Sequence, residues 1–412
     1  MKKVYLKRGK EESLKRFHPW IFSGAIHHAD DGIEEGETVR VYTENGDFIA
    51  VGHAQVGSIA VRVLSFRDVA IDHAFWLSRL QSALQVRIAL GLTDAGSSRP
   101  TPNDTYRLVH GEGDNLPGLI IDCYGDTAVM QAHSVGMHVD RMAVCKALVE
   151  VMGDRIHHVY YKSETTLPYK AELGQENGFI YGGSADNVAV ENGLKFRVDW
   201  LRGQKTGFFV DQRENRQLLE HYAHGRRVLN MFCYTGGFSV YAMRGGAELV
   251  HSVDSSAKAI ELTRQNVALN FPDDSRHEAY CDDAFKFLES IQSPRVQRDS
   301  TSEGTGRNSY DLIVLDPPAF AKHRGALHTA LKGYTRLNAK GFEAIAPGGI
   351  LFTFSCSQVV TKDQFRNAVF TAAAQAGRKV RILHQLHQPA DHPINIYHPE
   401  GEYLKGLVLY VE

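Results

Sequence analysis

The chain is expected to be an α/β protein: its C-terminal half forms a doubly wound, largely parallel sheet, preceded by a small β segment and a middle α+β segment. Three observations predict this. Residues 191–412 alternate apolar strand patterns with helical ones. Within them, Val228-Leu229-Asn230-Met231-Phe232-Cys233-Tyr234-Thr235-Gly236-Gly237 runs an apolar strand into a small-residue turn, and a helix and a second strand ending on Asp254 follow. Residues 1–67, by contrast, read as short strands broken by turns.

A length of 412 residues predicts two or three domains, and 43% apolar residues supply large cores. The formal net charge of -2 draws no nucleic acid globally, so any such binding must come from local patches. Cys123, Cys145, Cys233, Cys281 and Cys356 are scattered, without a C-x-x-C pair. That pattern argues against a disulfide framework or a metal site and for a reducing compartment. No signal-peptide or membrane-spanning pattern is seen, so the expected location is cytoplasmic, with no membrane partner. The sequence leaves the oligomeric state open, a homodimer included.

In the first segment, residues 3–6, 36–42, 48–53 and 59–65 are strand-like, the middle two joined as a hairpin across Glu44-Asn45-Gly46-Asp47. Lys7 and Arg8 stand among many basic residues, interleaved with Phe17, His18, Trp20 and Phe22. Basic groups suit RNA phosphates, and an aromatic face such as Trp20 suits a stacked base. The competing reading is a solvated basic edge with Trp20 in a small core.

The middle segment, 68–190, opens on a helix over 70–90, from the spacing of Ile71, Phe75, Leu80 and Leu84. A loop over 94–104 and a hairpin over 106–122 follow, then a strand at 127–134, a helix over 139–152 and a strand at 158–162. No catalytic cluster is visible here.

The third segment, 191–412, starts with a strand at 194–200 and a helix bearing Leu218, Leu219 and Tyr222. After the Asp254 strand, a helix over 255–270 is capped by Ser255 or Ser256. A polar stretch at 291–309 reads as an exposed loop. The strand at 310–316 ends in Asp316-Pro317-Pro318-Ala319-Phe320, and that at 350–354 ends in Ser355-Cys356-Ser357. Helices over 328–345 and 362–376 and strands at 379–386 and 403–411 complete the chain.

Polar residues thus fall at four strand ends: Asp254, Asp283, Asp316 and Cys356. In an open parallel sheet all four line one rim. The turn at Gly236 is neither Gly-x-Gly-x-x-Gly nor a phosphate-binding loop, which excludes a dinucleotide or an NTP. A ligand with a ribose and no pyrophosphate fits, such as S-adenosylmethionine. Asp254 would take its ribose hydroxyls, and Asp283 with the Ala284 N–H its adenine. Gly236 allows close approach. Asp316-Pro317-Pro318 makes a stiff turn beside the methyl donor.

These motifs resemble the class I S-adenosylmethionine-dependent methyltransferases. More narrowly, the chain is similar to bacterial large-subunit ribosomal RNA cytosine-C5 methyltransferases that carry an N-terminal PUA domain. Phe17-His18-Pro19-Trp20, Glu112-Gly113-Asp114-Asn115-Leu116-Pro117-Gly118 and Thr206-Gly207-Phe208-Phe209-Val210-Asp211-Gln212-Arg213 carry the likeness, with the Phe232–Phe238 turn, Asp316-Pro317-Pro318-Ala319-Phe320 and Ser355-Cys356-Ser357. The resemblance implies a PUA barrel, a middle α+β domain and a Rossmann-like seven-stranded sheet with an antiparallel last strand. It also implies that Asp211, Phe232, Tyr234, Gly236, Asp254, Asp283 and Asp316 surround the donor, and that ribosomal RNA is the partner.

C5 chemistry gives Cys356 a role. A thiolate adding to C6 of cytosine makes C5 nucleophilic. Asp316 would then select the cytosine amino group, and Pro317 and Phe320 would line the base. Many RNA cytosine-C5 enzymes carry a second cysteine after the proline turn, where Ala319 and Phe320 stand here. The base that removes the C5 proton is therefore unassigned; Asp391, Glu400 and Glu402 are candidates. Methylation of a base nitrogen and a non-catalytic role in ribosome assembly are the competing functions.

Overall fold

Short alternating segments at the N-terminus pair into a six-stranded sheet in the computed structural model, which describes residues 1–94, 101–168, 173, 176–183, 187–292 and 310–412. Lys3–Leu6 lies between Ile26–Ala29, antiparallel, and Thr38–Tyr42, parallel. Thr38–Tyr42 returns antiparallel as Phe48–Ala54, which pairs in turn with Ile59–Ser65. Trp20–Phe22 and Ile26–Ala29 have no counterpart in the sequence reading. Strands of three and four residues are too short for alternation to register. Val4, Leu6, Val39, Val41 and Val61 form the core of this sheet.

A five-stranded sheet follows, in the order Gly178–Tyr181, His158–Tyr161, Thr127–Ala132, Leu119–Tyr124, Thr105–His110. Helix His73–Ala89 is capped by the Asp72 carboxylate, which accepts the Phe75 N–H. The helix expected over 139–152 is Arg141–Met152, and a short helix absent from the sequence reading, Val135–Val139, precedes it. Val135–Val139 is capped by Ser134, and Arg141–Met152 begins after Asp140. Asp140 is engaged elsewhere, with His53 Nε2 at 2.9 Å from its carboxylate.

These two sheets lie in one unit, comprising Met1–Gly193, Val198–Val210 and Ala390–Gly401. The last two stretches were expected in the C-terminal domain. Polar bonds tie them here: the Asp391 carboxylate accepts the Arg107 N–H at 2.9 Å, and the Thr206 hydroxyl donates to Asp122 at 2.7 Å. Sequence patterning does not report such long-range bonds.

The second unit comprises Leu194–Arg197, Asp211–Pro389 and Glu402–Glu412. It holds a seven-stranded sheet in the order His277–Cys281, Leu249–Asp254, Arg227–Met231, Tyr310–Leu315, Ile345–Ser355, Lys405–Val411, Val380–His387. Lys405–Val411 is antiparallel to both its neighbours, and the first five strands run parallel to one another. Tyr310–Leu315 and Arg227–Met231 are buried along nearly their whole length, as an apolar run in a two-sided parallel sheet requires. Ile345–Ser355 begins earlier than expected. It runs through Pro347-Gly348-Gly349 by way of an irregularity opposite Tyr310 and Leu312. Ser256, rather than Ser255, caps Ala257–Asn270. Of the loop expected at 291–309, Ile291 and Gln292 end helix Ala284–Gln292, and 293–309 lie outside the described residues. Among the described residues no helix is long and apolar enough to cross a membrane.

Candidate active site

Strand order in the second unit reverses between Arg227–Met231 and Tyr310–Leu315. The crevice beyond their carboxyl ends is where such a sheet takes a ligand. Asp254 ends its strand there; Asp316 and Cys356 directly follow Leu315 and Ser355, the last residues of theirs.

The turn after Arg227–Met231 is conformationally costly. Phe232, Tyr234 and Gly236 all have left-handed backbones, with φ of 59°, 47° and 77°. Two aromatic residues in that region store about 1–2 kcal/mol each. Four bonds hold them: Cys233 N–H to Val253 O at 3.0 Å, Tyr234 N–H to Asp254 Oδ2 at 3.0 Å, Thr263 Oγ1 to Tyr234 O at 2.9 Å and Asn266 Nδ2 to Thr235 O at 2.8 Å. Asp254 Oδ1 accepts the Ser256 N–H at 2.9 Å, so the carboxylate is fixed at both oxygens. Each oxygen retains a lone pair for a ribose hydroxyl. A Cβ on Gly236 would lie 2.7 Å from Thr263 Cγ2. Gly236→Ala should therefore destabilise the protein by about 2 kcal/mol, read as a lower urea midpoint with an unchanged slope.

Asp283 is more than a ligand candidate. Its Oδ1 accepts the Phe285 and Lys286 N–H groups at 3.0 Å each, capping helix Ala284–Gln292. Asp211 is buried and accepts the Tyr403 hydroxyl at 2.6 Å. Asp316 accepts from Gln212 Nε2 at 3.0 Å, and Gln212 Oε1 accepts from Asn215 Nδ2 at 2.6 Å. A buried amide relay thus orients Asp316. Pro317, expected at the substrate, is buried; the exposed proline is Pro318. The half-buried Phe320 ring packs 4.6 Å from that of Tyr334, which commits part of its surface to the fold.

The thiols separate by environment. Burial pushes Cys123 and Cys233 up to about 12 and Cys145 up to about 11, which makes them inert. Cys356 is half-buried at its strand tip. Its neighbours Ser355 and Ser357 are each bonded to the Tyr334 hydroxyl at 2.9 Å. Lys405 is buried across the strand pair, opposite Ser355. Its Nζ donates to Ser357 O at 2.7 Å and Tyr403 O at 2.8 Å. Desolvation lowers the Lys405 ammonium to about 8, against the raising effect of Cys356 and Glu402.

Other expected groups lie elsewhere. Glu402 is ion-paired with Lys362. Asp391 and Glu400 belong to the first unit, and Asp391 is fully buried there. In that unit Lys7 and Arg8 are exposed. Trp20 is not an open platform for a base. Its indole N–H donates to Glu112 at 2.8 Å, Arg62 lies over its ring, and His398 packs 4.2 Å away. Near it, Phe17 and Phe22 are exposed. Among the described residues no His, Cys, Asp and Glu group could hold a metal ion.

A family model described as S-adenosylmethionine-dependent methyltransferase matches residues 182–396, and one for a PUA-like domain matches 4–66. The chain belongs to the S-adenosylmethionine-dependent methyltransferases. Relatives named ribosomal RNA large subunit methyltransferase I, from Aeromonas hydrophila and Tolumonas auensis, are 41% and 42% identical to this methyltransferase, over 98% of each chain. A Streptococcus mutans structure, assigned to the S-adenosylmethionine-dependent methyltransferases, has a TM-score of 0.81 over 100% of both chains at 24% identity, a likeness of fold. The methyltransferase's cofactor is S-adenosylmethionine. The Asp254 carboxylate and the side-chain-free approach at Gly236 fit its nucleoside end.

Sequence reasoning gave no role to Gln212, Asn215, Tyr403 or Lys405 in the methyltransferase. Gln212 lay inside a quoted motif. Lys405 had a legible signal, a lone charge within the apolar run Leu404-Lys405-Gly406-Leu407-Val408. Gln212→Ala removes a bond to a charged acceptor, worth about 1.5 kcal/mol. Methyl-transfer kcat should fall about tenfold, with donor affinity unchanged in calorimetry.

Proposed function

We propose that this methyltransferase places a methyl group on C5 of a cytosine in large-subunit ribosomal RNA, with Cys356 as the attacking nucleophile. The observation that carries the reading is the placement of half-buried Cys356 and of Asp316 just past the carboxyl ends of neighbouring parallel strands, in the same sheet as the Asp254 turn. The names of the relatives and the PUA-like match support ribosomal RNA as substrate. In this reading residues 1–67 bind RNA with exposed Lys7 and Arg8, residues 68–190 form a spacing domain, and the protein works in the cytoplasm.

Bound S-adenosylmethionine supplies an electrophilic methyl group. Asp254 and the Phe232–Gly236 turn hold the ribose, Asp283 and the Ala284 N–H the adenine, and Asp211 helps close the pocket through Tyr403. The target cytosine leaves its stack to enter the site. Asp316 accepts from its N4 amino group, whereas uracil would set its O4 acceptor against the carboxylate, which penalises the wrong base. Cys356 Sγ would bond to C6 as the C5–C6 π pair moves to C5; C5 would then bond the methyl carbon as the donor's sulfonium–methyl bond breaks, that pair staying on sulfur in the departing S-adenosylhomocysteine. A base then takes the C5 proton. The C5–H pair restores the double bond as the S–C6 bond breaks and the thiolate returns.

Mass mapping of large-subunit RNA from cells with and without the gene tests this. The expected result is the loss of one 5-methylcytidine. Loss of an N-methylated nucleoside instead would identify nitrogen chemistry. An unchanged map would leave only a role in assembly.

A further inference from the structure

A reactive cysteine needs a reason to be ionised, and nothing in the C5 reaction as written supplies one. The antiparallel strand Lys405–Val411 does. Its register sets Lys405 directly opposite Ser355, and the side chain ends on the carbonyls of Ser357 and Tyr403. One of those carbonyls belongs to the residue after Cys356. We propose that Lys405 is a positioning residue that holds Cys356 as a thiolate, an anion–cation pair built between two adjacent strands. This deepens the C5 reading and rests on Cys356 being the nucleophile.

Four observations support it. Lys405 is buried, which is rare for lysine without a charged partner. Its ammonium has three donors, and two are fixed by main-chain oxygens at 2.7 and 2.8 Å, so the head group cannot swing to solvent. Burial lowers it only to about 8, which leaves it mostly protonated at neutral pH. Cys356 raises the same group, and such coupling is reciprocal: a charge that a thiolate stabilises also stabilises the thiolate.

Other charged groups bear on the pair, among them the Asp316 carboxylate at the end of the neighbouring parallel strand, whose charge opposes ionisation of the thiol. Glu402 also raises Lys405, and Lys362 lowers it; these two are themselves ion-paired. On the other side, the Tyr334 phenol is raised by burial and, to a lesser degree, by Cys356. Tyr334 bonds Ser355 and Ser357, so it frames the thiol without supplying positive charge. Lys405 acts on Cys356 from a fixed position, its Nζ held by two main-chain oxygens.

The sign follows. With Lys405 charged, Cys356 ionises below the usual thiol value of about 8.5. With the charge removed, ionisation moves to higher pH, and less thiolate is present at neutrality. A purely structural lysine, clamping two carbonyls, would leave that midpoint where it is.

The test is alkylation of the full-length protein by iodoacetamide across pH, read from the mass of the Cys356 peptide, with exposed Cys281 as internal reference. The unaltered protein should show a Cys356 midpoint clearly below 8.5. In Lys405→Met it should rise by about one unit, so that labelling at neutral pH falls about tenfold. Lys405→Arg, which keeps the charge, should restore most of the rate, and the acid limb of the methylation pH profile should shift in parallel. A folded Lys405→Met with an unchanged midpoint overturns the proposal. So does a midpoint at or above 8.5 in the unaltered protein, which decides the matter even if Lys405→Met does not fold. Failure of the underlying reading looks different: Cys356→Ala would keep methylating while the alkylation midpoint stayed low.

Discussion

Cys356→Ala is expected to lower C5 methyl transfer by on the order of 10³-fold or more while donor affinity stays within about twofold. The reason lies in the substrate. Cytosine C5 does not attack a methyl donor unless a nucleophile has first added to C6, and no other described thiol can substitute. Cys233 lies in the donor turn but is buried, 3.6 Å from the Thr263 hydroxyl, and its thiol is pushed up to about 12. Cys281 is exposed at the end of the edge strand, three strands from Tyr310–Leu315. The fold should tolerate the change, because Cys356 is half-buried and Ser355 and Ser357 keep their bonds to Tyr334. Methyl incorporation into transcribed ribosomal RNA, with donor binding measured by calorimetry, separates the two effects. Full activity in Cys356→Ala would end the carbon-methylation reading and leave nitrogen as the acceptor.

Asp254→Ala should weaken S-adenosylmethionine binding on the order of 10²-fold. Two contributions add. The ribose loses a charged acceptor, worth about 1.5–3 kcal/mol. The turn also loses the carboxylate that receives Tyr234 N–H and Ser256 N–H, so the left-handed Phe232 and Tyr234 are less well held. Asp254→Asn keeps the shape and one acceptor and should lose less. Calorimetric titration with the donor reads both. An affinity change under threefold in Asp254→Ala would mean that the carboxylate only braces the loop.

The strand ends were legible because each lies within a few residues of a strong local signal. Tyr310–Leu315 is an apolar run stopped by two prolines, and Arg227–Met231 is one stopped by glycines. Asp254, Asp316 and Cys356 could therefore be placed on one rim from their position at the carboxyl ends of parallel strands. The partners of Trp20 and the burial of Pro317 were not legible, because residue type indicates what a side chain can do, whereas packing decides how much of it is exposed. Helix Val135–Val139 was missed because five residues hold too few turns for apolar spacing to register.

What the amino-acid sequence alone determined is the alternation of the longer strands and helices of residues 227–412 and the residue types at their ends, since both depend on neighbours a few positions apart. Which of those residues meet was decided by tertiary structure. Ser357 and Lys405 are 48 positions apart, and only the antiparallel insertion of the last strand beside Ile345–Ser355 brings an ammonium to the carbonyl that follows Cys356. Gln212, in the turn before helix Arg213–Tyr222, reaches Asp316 across 104 positions. Hydrogen bonds of that span depend on the register of the folded sheet and on the packing of turns against it, and no local pattern in the chain encodes either.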